Sequence, residues 1–174
     1  MLSIYQLSHI TSKMEHTVRT TNKKMLLIQR MHHIVNTRSI LLLRTLNSKD
    51  IFEMEDARIK MEEYAEQFIK ARMQLLELDL SKQERDNLEK QGKISKIRLN
   101  AQRQVAEFLV EEKLEQAAQL MSDDVLKNQD SIHRLLDQLI TVHQEQSERQ
   151  LSEFQQSYNK SVTTLILASI FALG

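Results

Sequence analysis

Six side chains stand out as able to do chemistry. They are His32, Arg38 and Ser39 on one helical stretch, Arg58 and Arg72 on a second, and Arg103 on a third. Each interrupts or borders an apolar stripe, a position arginine rarely takes unless it is paired. Counting from the turns puts Arg38, Ser39, Arg58 and Arg103 at a similar height, with Gln102 beside Arg103. Guanidinium groups that converge in a partly dry site bind a carboxylate through paired, charge-assisted hydrogen bonds. A plainer arrangement stays open, with arginine stems packed on the stripe and their heads in water or paired with Glu. His32 has the same two readings, as a ligand contact or as a satisfied core histidine.

Catalytic chemistry finds no foothold. The sequence contains no H-E-x-x-H, no G-x-S-x-G and no glycine-rich phosphate loop. Four-helix di-metal sites use Glu-x-x-His, and none of the six histidines has Glu three residues before it. Asp130-x-x-His133 is the nearest approach and occurs once, so it reads as a helical surface pair. His32 and His33 are adjacent and point about 100° apart on a helix, so they do not chelate one ion. Met14, Met25, Met31, Met54, Met61 and Met73 read as adaptable core filling. No catalytic residue, metal or cofactor is expected, and this stretch is not read as an enzyme.

The elements that position these residues follow from what the chain lacks. Its 174 residues hold no proline, no cysteine, no tryptophan and two glycines. Strands need frequent turns, and turns need Gly and Pro, so few, long helices are expected. The formal net charge is zero, with neither sign gathered in a block, which argues against a nucleic-acid partner.

Residues 3–46 keep a heptad register through Leu7, Met14, Thr21, Ile28, Val35 and Leu42, with a second seam at Thr11, Val18, Met25, His32, Ser39 and Leu46. Asn47 to Asp50 break it, and Ser48 or Asp50 is placed to cap the next helix. Helix two is expected over about 51–78, on the face of Met54, Met61, Ala65, Phe68 and Leu75 widened by Ile51, Ile69 and Leu76. Ser81 and Glu84 have the spacing of a capping box, which starts helix three at about 82–110. Leu88, Ile94, Ile97, Ala101, Val105, Phe108 and Leu109 form its stripe, and Gly92 can kink it near its start. The third break falls either at Glu111–Lys113 or at Met121–Asp124, with helix four at about 114–160.

The expected fold is all-α, an antiparallel up-down-up-down four-helix bundle. Helices two and three are about 30 residues each, roughly 45 Å at 1.5 Å per residue. Helices one and four overhang them equally, forming a membrane-proximal stalk beneath a sensor domain of residues 1–160. After Lys160 there is no charge, and Ser161 to Gly174 read as the start of a truncated transmembrane helix. If the tail is a trimmed span, the N-terminus is expected to be trimmed as well, just after a first span.

These residues resemble the four-helix-bundle sensory module of bacterial chemoreceptors (methyl-accepting chemotaxis proteins) and of membrane-bound GGDEF diguanylate cyclases. The resemblance is carried by Tyr5-Gln-Leu, by Thr37-Arg-Ser-Ile-Leu-Leu-Leu-Arg44, by Phe68-Ile-Lys-Ala-Arg72 and above all by Leu114-Glu-Gln-Ala-Ala-Gln-Leu-Met-Ser-Asp-Asp-Val-Leu-Lys-Asn-Gln129. It covers nearly the whole chain, and departs from it at Lys127, where relatives often carry a proline. It implies a signal-input domain on the periplasmic side of a bacterial inner membrane, dimerising through helices one and four. A small-molecule ligand, a carboxylate by the chemistry above, displaces helix four, and flanking spans pass this to a chemotaxis or cyclic-di-GMP output. The alternative is a membrane-anchored coiled-coil scaffold that binds a protein partner.

Overall fold

A computed structural model describes the backbone of residues 2–173 except Lys49, and the side chains except those of residues 1–4, 6, 7, 46, 49, 51, 110 and 168–174. The expected core positions Leu7, Leu46 and Ile51 and the last part of the apolar tail lie outside the described side chains.

Every described element is helical: α1 Leu2–Asn47, α2 Ile51–Leu76, α3 Lys82–Val110, α4 Leu114–Leu120 and α5 Lys127–Leu173. Between α4 and α5 the backbone continues through one π-helical turn, Met121–Leu126. The chain is therefore all-α with four helices, the last formed by α4, the π turn and α5 together.

Local chemistry accounts for the breaks. Asp50 caps α2, its carboxylate accepting from the Phe52 amide at 2.9 Å, while Ser48 donates to Glu53 at 2.7 Å. α2 stops at Leu76, short of the expected Leu78, because the Glu77 and Leu78 amides turn back onto Met73 and Leu75. At α3 the capping box is complete: the Ser81 amide donates to Glu84 Oε2 at 2.7 Å and the Glu84 amide to Ser81 Oγ at 3.3 Å. The third turn falls at Glu111–Lys113. There the Lys113 amide reaches the Phe108 carbonyl and the Glu112 amide the Leu109 carbonyl, a Schellman closure. Glu112, at φ 59°, takes the left-handed position that glycine usually fills. The other candidate break, Met121–Asp124, is the π turn, so the chain does not reverse there.

The chain divides into two compact units. Residues 1–25 with 141–174 form one, in which His143 donates from Nε2 to the Thr21 carbonyl at 2.8 Å. Met14, Val18, Leu151 and Tyr158 are exposed there. α5 passes through Ser161 to Leu173 without a break, and Ile166 and Leu167 are about half exposed. Among the described residues no helix is long and apolar enough to cross a membrane.

Residues 26–140 form the other unit, and its core is in two pieces. One joins Ile28, Met31 and Val35 of α1 to Phe68 and Leu75 of α2, Leu88 of α3 and Ile132, Leu136 and Leu139 of α5. The second joins Leu42, Met61, Ala101 and Val105 to Ala117, Met121 and Val125. The expected stripes are corrected in three places. On α1 the second seam keeps Ser39 and widens by one residue to take in Met31, Arg38 and Thr45, because a helix facing three others buries a wider face than a coiled-coil edge. On α2, Ile69 and Met73 point outward, and on α3, Ile97 does. α3 runs through Gly92 without a break. A Cβ there would lie 2.7 Å from Arg72 Nη2, so the missing side chain is what lets the Arg72 guanidinium lie against α3.

Candidate functional site

Between the two apolar pieces lies a layer of buried polar side chains. On α1 it falls between Val35 and Leu42, on α3 between Leu88 and Val105, and on α5 just before Ile132. Arg38, Ser39, Arg98 and Gln102 are each at least nine-tenths buried. Arg38 Nη2 donates to Gln102 Oε1 at 2.6 Å, and Arg98 Nη2 donates to Ser39 Oγ at 2.8 Å. The Ser39 hydroxyl sits against the Val35 carbonyl at 3.0 Å and against Gln129 Oε1. Three helices are thus tied through one serine.

Electrostatically the layer is unusual. Among the described residues no carboxylate pairs with Arg38 or Arg98. Burial, then the nearby Arg103 charge, pushes Arg38 down to about 10. Burial and the Arg38 charge push Arg98 down to about 9. Both remain cations at neutral pH. Among the described residues Arg38 Nε, Arg98 Nε and Gln102 Nε2 find no acceptor. Leaving a buried donor unmet costs roughly 1–3 kcal/mol. The layer carries two buried positive charges and spare donors, and this favours an anion.

A groove gives access to Arg38 and Gln102. This groove, of about 560 Å³, is lined by Arg38, Gln102 and Arg103 together with Arg58, Glu62 and Glu107. A second groove, of about 660 Å³, runs along the α1–α2 turn past Ser48 and Glu53. It holds none of the six residues singled out from the sequence.

The structure therefore brings together part of the expected set. Arg38, Arg58 and Arg103 share the groove. Ser39 lies behind Arg38, bonded to Arg98 instead of to the groove. Arg58 is exposed and takes the plainer arrangement, pairing with Glu55 at 2.7 Å and Glu62 at 2.8 Å. Its hydrogen bonds to Glu55, then the Glu55 and Glu62 charges, hold it above its ordinary value. Arg72 lies away from the groove, donating to the Leu88 carbonyl at 3.1 Å. His32 also lies outside it, in contact with His133 across α1 and α5 with ring nitrogens 3.2 Å apart.

Arg98, Gln129 and His133 carry as much of the layer as the residues the sequence points to. A sequence signal for Arg98 exists. Glu84, Gln91, Arg98 and Val105 recur every seven residues and all are buried. Hydropathy conceals the pattern by offering Ile97 next door.

Among the described residues no group of three His, Asp or Glu side chains forms a metal site. The chain matches no protein-family model and no curated protein.

Proposed function

We propose that this chain is a signal-input domain whose groove at Arg38 takes a small carboxylate and whose helices carry the response. One observation bears most of the weight: Arg38, buried and among the described residues without a carboxylate partner, forms part of an open groove with Arg103, and a second buried cation, Arg98, bonded to the neutral Ser39, lies in the same layer. An anion there meets one buried guanidinium, Arg38, beside the exposed Arg103, and forms charge-assisted bonds to them. Glu62 and Glu107 at the rim favour a ligand that also carries a donor, such as an amino or hydroxy acid.

The finer architecture belongs to the same reading. Partners on α1 and α5 run in opposite senses, His32 with His133 and Ser39 with Gln129, which supports an antiparallel up-down-up-down bundle. The pairing of Thr21 with His143 supports a two-helix stalk of the first and last helices. Half-exposed Ile166 and Leu167 support an apolar tail that continues into a bilayer, with the bundle in the periplasm of a bacterial inner-membrane receptor that dimerises through α1 and α5. Ligand binding favours one of two packings differing by a helix shift of ~1–2 Å, and only differential affinity for the two drives it.

A thermal-shift panel of small carboxylates on the 174-residue chain tests this. A true ligand stabilises by about 2.7 kcal/mol at a hundredfold excess over its dissociation constant. Arg103→Ala, at an exposed position, weakens that ligand without altering the fold. No stabilisation by any anion, or equal binding by Arg103→Ala and Arg38→Met, overturns the reading.

A further inference from the structure

A chain of hydrogen bonds crosses the polar layer from α1 to α5 and back. Asn36 Nδ2 is 3.4 Å from His32 Nδ1, and His32 Nε2 is 3.2 Å from His133 Nδ1. His133 Nε2 is 3.5 Å from Gln129 Nε2, Gln129 Oε1 meets the Ser39 hydroxyl, and Arg98 donates to that same oxygen. Donors and acceptors along such a chain are not independent. With Gln129 Oε1 taken by Ser39, the amide NH₂ faces His133 Nε2, which must then accept. The His133 proton therefore sits on Nδ1 and is donated to His32 Nε2. That leaves the His32 proton on Nδ1, donated to the Asn36 amide oxygen once that amide is turned.

One feature of this order is unfavourable. His32 Nε2, an acceptor in it, lies 3.5 Å from Asp137 Oδ1, an acceptor too. A proton on His32 Nε2 satisfies the carboxylate but also faces the N–H of His133, so the rest of the chain has to reverse. His133 moves its proton from Nδ1 to Nε2 by exchange with solvent. The Gln129 amide turns over so that Oε1 accepts from His133. The Gln129 NH₂ now donates to Ser39, whose own hydroxyl proton swings to the Val35 carbonyl at 3.0 Å. Every group is again partnered, with one proton more in total.

We propose that this chain is a two-state proton switch, in which acidification protonates His32, turns the Gln129 amide and redirects Ser39 beneath Arg98. The charges acting on His133 are His32 on α1, Arg98 on α3 and Asp137 and Asp130 on α5, with none from α2. The added proton is placed on His32 by geometry, its Nε2 facing the Asp137 carboxylate at 3.5 Å, while burial first, and then His32 and Arg98, hold His133 below its ordinary value. The contact is a proton pair and not a metal clamp, since the three donors do not form a metal site. The switch acts without any ligand in the Arg38 groove. It gives a signal-input domain a response to external acidity through α5.

Imidazole nitrogen shifts and the Gln129 side-chain amide, followed by NMR on the 174-residue chain from pH 8 to pH 5, test it. The expected result is a His133 proton on Nδ1 at high pH, transfer to Nε2 as His32 gains charge, and a Gln129 amide shift with the same midpoint. Asp137→Asn, at a side chain 64% exposed, moves that midpoint to lower pH. Gln129→Met keeps the His32 titration but removes its effect on the Ser39 amide. A His133 that keeps its Nδ1 proton after His32 is charged overturns the proposal. So does a Gln129 amide that does not move, or an Asp137→Asn midpoint equal to the parent's.

Discussion

Arg98 of α3 donates to the hydroxyl of Ser39 on α1 at 2.8 Å, and among the described residues no carboxylate pairs with that guanidinium. A cation buried in this way stabilises little by itself, because losing its hydration costs more than one neutral hydrogen bond returns. Its placement between two apolar core pieces, tied to the one serine that also reaches Gln129, sets α1, α3 and α5 in register. That is the use buried polar groups serve best, at a cost in stability.

The first prediction follows from that cost. Arg98→Met keeps the stem volume and removes the charge, and Ser39 retains Val35 and Gln129. The variant is expected to be as stable as the parent or more stable by about 1–3 kcal/mol, measured by urea unfolding at pH 7. Ser39→Val is expected to behave in the opposite way, because it takes the Ser39 partner from Arg98 Nη2 and Gln129 Oε1 and loses about 1–3 kcal/mol.

Much of the fold was legible because turn chemistry is local. The Ser81–Glu84 box and the Asp50 cap act over three residues or fewer and appear as the sequence implies. Arg98 illustrates what was not legible. A stripe read by hydropathy takes Ile97 as the core residue, yet Ile97 is 54% exposed and Arg98 is 2%. The periodicity was sound, but residue type misdirected its phase by one position. The same slip set His32 on the α1 seam, whereas Met31 is fully buried and His32 turns toward α5. Three of the six candidate residues share a groove because height along a helix can be counted from a turn. Direction around the helix depends on how many neighbours it faces, and that is a tertiary fact.

Glu112 supplies the second prediction. It holds a left-handed backbone at φ 59° in the Schellman closure of α3. A residue with a Cβ adopts that conformation at a cost of about 1–2 kcal/mol, which glycine avoids. Glu112→Gly is expected to raise stability by about 1 kcal/mol after its larger unfolded-state entropy is counted. Thermal unfolding measures it, and Glu111→Gly, one residue earlier at φ −82°, is expected to lower stability instead.

Gly92 and Arg72 give a third, as a pair. Alanine at 92 gains about 1 kcal/mol of helix propensity, but its Cβ meets Arg72 Nη2 at 2.7 Å and pushes that group off the Leu88 carbonyl. Gly92→Ala alone is therefore expected to change stability little. In an Arg72→Ala background the same change is expected to show its full gain. A double-mutant cycle reads the difference as a coupling energy.

The last prediction concerns acid. His133 is held below its ordinary value, chiefly by burial and next by His32. In the unfolded chain the ring takes its proton near pH 6.5. Between that pH and the lower native value the unfolded state binds more protons, so stability rises with pH across the window. The contribution of His133 is thus complete above about pH 6.5 and is lost as pH falls toward the native value. Measured as urea midpoints at pH 8, 6.5, 5.5 and 5, the parent is expected to weaken progressively below pH 6.5, while His133→Gln shows a shallower slope and lower stability at pH 8. An identical slope in the two proteins would assign the acid sensitivity to other groups and remove His133 from the account.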